Sequence, residues 1–140
     1  MHRRDFIKAS CSICIAASSG WIVSNLSSCS PIPVYKTSVI ENKIIVPLSR
    51  FASGDFQIIR PRNLEYDIAL RKESSGEYTA LLMRCTHADN QLISTGSGFI
   101  CDLHGSRFND EGMVIKGPAE LPLKKFPTEI IADNIIVNLN

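Results

Sequence analysis

Two short boxes constrain this chain more than anything else in it: Cys85-Thr86-His87 and Cys101-Asp102-Leu103-His104. Each pairs one thiol with one imidazole, spaced C-x-H in the first and C-x-x-H in the second. The chain holds five cysteines and three histidines, and after residue 29 only these four remain. Every soft metal ligand of the body is therefore spent on two segments that a small fold can bring face to face. Two Cys and two His complete a tetrahedral zinc site. They equally complete a sulfide-bridged diiron cluster in which two imidazoles replace two thiolates on one iron. Zinc sites more often pair like with like, and C-x-H is a short spacing for two ligands on one ion. A third reading leaves the four side chains unliganded in a core. Two tight loops facing each other would give both sulfurs to an inner iron and both imidazoles to an outer one.

The paired boxes resemble those of the Rieske [2Fe-2S] family, and the likeness runs over about residues 80–126. It implies a [2Fe-2S] cofactor held by Cys85, His87, Cys101 and His104. Gly105 and Ser106 stand where members from quinol-oxidising complexes carry Gly and Ser, which implies that Ser106 donates its hydroxyl to a bridging sulfide. Those members have a Tyr two positions after the Ser, bonding a ligand cysteine sulfur; here the residue is Phe108. They also carry an extra Cys in each box, joined as a disulfide, and the matching positions are Asn90 and Leu103. Without that disulfide the boxes look more like those of Rieske ferredoxins and oxygenases. Gly117-Pro118-Ala119 resembles the proline loop that covers the cluster in many members. Asp102 occupies a position that is often Pro, and its charge should favour the oxidised form slightly. Hydrogen bonds to cluster sulfurs raise the potential, so one donor of two implies a midpoint inside the Rieske span of roughly −150 to +300 mV, below its top. Between the boxes, residues 88–100 hold the turn signal Ser94-Thr95-Gly96-Ser97-Gly98 and read as a compact hairpin.

The start of the chain has a different character. Arg3-Arg4 followed by Asp5, Phe6, Ile7 and Lys8 resembles a twin-arginine export signal, a route that moves proteins already folded with their cofactor. The stretch from Ile7 to Leu26 is apolar but interrupted by five serines, a glycine and an asparagine. That is thin for a spanning helix, which wants about 20 predominantly apolar residues. Leu26-Ser27-Ser28-Cys29 resembles a bacterial lipoprotein box, which implies cleavage before Cys29 and lipid on its sulfur. The alternative is an uncleaved signal anchor, as in the Rieske subunits of respiratory complexes. Cys11 and Cys14 have C-x-x-C spacing, but they lie inside this export segment. The expected organisation is a signal over 1–28, a tether over 29–36 and a Rieske domain over 37–140, with its cluster-binding lobe at about 81–126.

With 140 residues there is room for one domain and one core. The net charge is +1, and residues 1–28 carry Arg3, Arg4 and Lys8 against Asp5, which leaves the remainder at 12 basic and 13 acidic residues. Such a balance gives no support to nucleic-acid binding. Val39–Leu48, Phe56–Arg60, Leu64–Lys72 and Tyr78–Arg84 are β-branched or alternating runs, and Glu129–Leu139 reads as a closing hairpin turning at Asp133-Asn134. The fold class expected is all-β, an antiparallel Rieske-type sandwich or barrel with a small inserted lobe. The function expected is one-electron transfer at the outer face of a bacterial membrane, with a cytochrome, a membrane oxidoreductase or quinol as redox partner. Membership of a quinol- or substrate-oxidising complex is the alternative, and a zinc-stabilised binding module the non-redox one. A catalytic oxygenase is not expected, because the chain has no room for a mononuclear iron domain and no spare histidines for its facial triad.

Overall fold

The computed structural model describes residues 31–140, so the readings of the export segment and of Cys29 lie outside the described residues. Twelve strands follow in order: β1 Val34–Thr37, β2 Lys43–Pro47, β3 Phe56–Pro61, β4 Ile68–Lys72, β5 Tyr78–Leu82, β6 Ile93–Ser94, β7 Gly98–Ile100, β8 Arg107–Asn109, β9 Val114–Lys116, β10 Lys125–Phe126, β11 Thr128–Ile131 and β12 Asn134–Asn138. A single 3-10 turn, Leu48–Phe51, leads from β2 toward β3. Three sheets result, ordered β1-β3-β4-β5-β10, β11-β12-β2 and β6-β7-β8-β9.

The first sheet is covered on both faces, which explains why its strands read as nearly continuous apolar runs. Ile59, Ile68, Leu70, Tyr78 and Ala80 point to one side and pack with Ile44, Val46, Ile135 and Val137 of the second sheet. Their neighbours Ile58, Ala69, Leu81 and Met83 point to the other side and pack with Leu92, Phe99, Phe108, Leu123 and both box cysteines. One sheet thus serves two cores, a structural one and one beneath the boxes. The lobe carrying the boxes leaves at the end of β5 and returns in β10, which pairs with β5 through Lys125↔Leu81 and Phe126↔Ala80. Its two ends are pinned side by side on the main sheet.

The all-β class and the inserted lobe match expectation, and three local features differ. Val39–Leu48 is not one strand, because Glu41 (φ 49°) and Asn42 (φ 58°) turn the chain back between the paired residues Ile40 and Lys43. Two consecutive left-handed residues make the tight hairpin turn whose twist suits antiparallel strands, and Asn accepts that geometry without Gly. Strand β1 begins at Val34, inside the span read as a tether, and pairs parallel to β3. The excursion through β2 and the 3-10 turn supplies the long crossover that a parallel pair needs. In the closing hairpin the turn is Ala132-Asp133, one residue earlier than expected, with Ala132 at φ 52°.

Gly98 opens β7 at φ +150°, and a Cβ there would lie 2.2 Å from the carbonyl oxygen of Phe108 on the neighbouring strand. Backbone cannot yield as a side chain tip can. Gly98→Ala is expected to cost about 2–3 kcal/mol, read as a lowered urea midpoint, by prising β7 from β8.

Candidate metal centre

Each box is the tip of a hairpin, and the two tips are built alike. The first spans 85–90 between the bridged residues Arg84 and Gln91; the second spans 101–106 between the paired residues Ile100 and Arg107. In the first, Cys85 N–H donates to Asn90 O (2.8 Å) and Asp89 N–H to Cys85 O (3.1 Å). In the second, Cys101 N–H donates to Ser106 O (2.9 Å) and Gly105 N–H to Cys101 O (3.0 Å). The fifth residue of both tips is left-handed, Asp89 at φ 47° and Gly105 at φ 77°. This gives Gly105 its physical reason: the turn needs positive φ directly after His104.

The geometry sorts the four candidate ligands into two pairs. Cys85 and Cys101 are fully buried, free of disulfide and packed in one core cluster. His87 and His104 are exposed, their ring centroids 5.2 Å apart and their planes at 84°. Among the described residues no three His, Cys, Asp or Glu side chains converge on one point. A sulfur pair beneath an imidazole pair suits a dinuclear cluster with two donors per iron. Burial pushes the Cys101 thiol up, yet it is held below its ordinary value because the Leu103 and His104 N–H groups, the Cys85 thiol and the Asn90 amide all bond its sulfur. Those donors favour a thiolate, the form that binds metal.

A third segment ties the tips together. Ala119 N–H donates to the buried Ser106 Oγ (3.0 Å), and Thr86 Oγ1 donates to Leu121 O (2.7 Å). Gly117-Pro118 is a cis peptide on the exposed start of this segment, while Ala119 and Leu123 are buried against the box cysteines. Phe108 lies beneath the tips at 1% exposure, paired with Phe99 across β7 and β8. Leu103 is exposed and Asn90 half-buried. Sequence reasoning treated Asn90 only as a position that lacks a cysteine. Its amide bonds Asp102 Oδ1 at 2.7 Å and reaches Cys101 Sγ at 3.8 Å. The matched spacing of Cys85 to Asn90 and Cys101 to Ser106 is the signal that could have found it.

The family model of the Rieske [2Fe-2S] domain matches residues 43–127, more than half of the chain. This chain belongs to the Rieske family. As a Rieske domain it binds a [2Fe-2S] cluster. It is 27% identical over 108 residues to the cytochrome b6-f complex iron-sulfur subunit of Chlorobaculum thiosulfatiphilum, covering 76% of this chain and 58% of that one. It is 42% identical over 76 residues to the cytochrome b6-f complex iron-sulfur subunit 3 of a Nostoc species, covering 51% and 41%. The chain spans about half the length of these relatives. In fold the Rieske chain is similar to the plasma membrane Rieske protein of Synechocystis, with a TM-score of 0.56 at 24% identity over 68% of this chain and 98% of that one. It is also similar to part of naphthalene 1,2-dioxygenase, with a TM-score of 0.55 at 21% identity over 71% and 26%.

Proposed function

We propose that Cys85 and Cys101 hold the inner iron of the cluster and His87 and His104 the outer one, and that the protein works as a one-electron carrier at the outer face of a bacterial membrane. The observation that carries this reading is the buried thiol pair beneath an exposed imidazole pair, on two tips closed by the same hydrogen bonds. When bound, the cluster supplies a one-electron couple whose potential lies above that of an all-cysteine cluster. The chain supplies the rest. Phe108, Phe99 and Leu92 keep water from the sulfur side, while the exposed rings of His87 and His104 present the edge at which a partner docks. Ser106 Oγ accepts from Ala119, which leaves its own proton free to donate toward the cluster. Ala119 and Leu121, just after Pro118, bond one tip each.

The partner class is a cytochrome, a membrane oxidoreductase or quinol. The names of the relatives, iron-sulfur subunits of cytochrome b6-f complexes, support a place beside a membrane complex. Among the described residues no helix is long and apolar enough to cross a membrane. Anchoring is therefore assigned to the start of the chain, by export on the Arg3-Arg4 signal and lipid on Cys29, with a short tether to β1.

Protein-film voltammetry on the domain from Ser30 onward tests the carrier and its tuning together. The expected result is one reversible one-electron wave inside the Rieske span, moved to lower potential by Ser106→Ala. No wave contradicts the carrier; an unmoved wave in the variant means that the Ser106 hydroxyl points elsewhere. For the anchor, Cys29→Ala is expected to release the protein from membranes or stall its processing. If that variant stays membrane-bound at full-length mass, the uncleaved anchor is the correct reading.

A further inference from the structure

From the geometry of the two tips we infer that Asn90 is a positioning residue that clasps them together and donates to the cluster through Cys101. The inference rests on the assignment of Cys101 as a ligand. Asn90 closes the first tip at the position Ser106 occupies in the second, so each tip ends in a polar side chain directed at the shared site. Its two amide protons are distributed among Asp102 Oδ1 at 2.7 Å, the Gln91 carbonyl at 3.3 Å and Cys101 Sγ at 3.8 Å. Asp102 and Cys101 belong to the opposite tip, so one side chain crosses from loop to loop.

Two consequences follow from this crossing. A bond to a carboxylate is stronger than one between neutral groups, so the contact resists splaying of the tips, the motion by which a cluster is lost. The same carboxylate fixes the amide with a proton toward Cys101 Sγ, and an N–H on a ligand sulfur favours the more negative, reduced state. Asn90 thus supplies a donor from the first tip where Phe108 supplies none, and places amide dipole between the Asp102 charge and the cluster. Apart from the contact between the Cys85 and Cys101 thiols, no other hydrogen bond between side chains links the two tips among the described residues.

The test uses the cluster-loaded protein with Asn90→Leu, Asp102→Leu and the double variant, reading iron content, midpoint potential and the rate of iron release to a chelator. Asn90→Leu keeps volume and removes the donor; Asp102 is exposed, so its replacement leaves folding intact. The expected result is full iron in each variant, a lower midpoint for Asn90→Leu, and release about fivefold faster in either single variant with little further gain in the double. An unchanged midpoint in Asn90→Leu, or rates in the two single variants that multiply in the double, overturns the clasp. If Asn90→Leu does not fold, unchanged release in Asp102→Leu alone overturns it. A native protein without iron overturns the ligand assignment itself, and the iron content separates that outcome from the others.

Discussion

Alanine at His104 is expected to leave a folded protein without its native cluster. The His104 ring is exposed, so truncating it opens no cavity and changes folding stability by no more than about 0.5 kcal/mol. The loss falls on the metal: an iron short of one donor is open to water, and hydrolysis competes with retention. His87→Ala is expected to do the same, because its ring is the partner of His104 at 5.2 Å. Iron and acid-labile sulfide analysis, set beside urea unfolding of the cluster-free proteins, separates ligand loss from misfolding. Wild-type iron content in either variant contradicts the assignment of that histidine.

Phe108 carries the second large effect. It is among the largest fully buried side chains and packs with both box cysteines, so Phe108→Ala opens a cavity directly beneath the tips and is expected to cost about 3–5 kcal/mol. Phe108→Tyr tests the same site without a cavity. A hydroxyl buried there unpaired costs about 1–3 kcal/mol, whereas one that reaches Cys85 Sγ is satisfied and raises the potential. The expected outcome is near-native unfolding with a higher midpoint. A clear loss of stability with an unmoved midpoint means that the hydroxyl finds no sulfur.

The candidate ligands Cys85, His87, Cys101 and His104 were picked out in the sequence because metal chemistry uses few residue types, and four soft donors stand in two boxes. The contacts of Asn90 with Cys101 and Asp102 were not legible, since they depend on how two hairpins face each other. In the fold, long strands with β-branched residues announced themselves. Strands β8, β9 and β10 hold two or three residues each, too few for any periodicity, and pairing alone defines them. Val39–Leu48 misled because Glu41 and Asn42 turn the chain with no glycine to mark it. Strand β1 misled because Pro31 and Pro33 give its approach the look of a tether, yet Val34–Thr37 finds an edge beside β3.

The most direct measurement is the electron paramagnetic resonance spectrum of the dithionite-reduced protein from Ser30 onward, with metal content determined on the same sample. The expected result is two irons and two acid-labile sulfides per chain with a rhombic signal of low average g, the mark of imidazole on one iron. A colourless, resonance-silent protein holding one zinc per chain would contradict the electron-transfer assignment at its root.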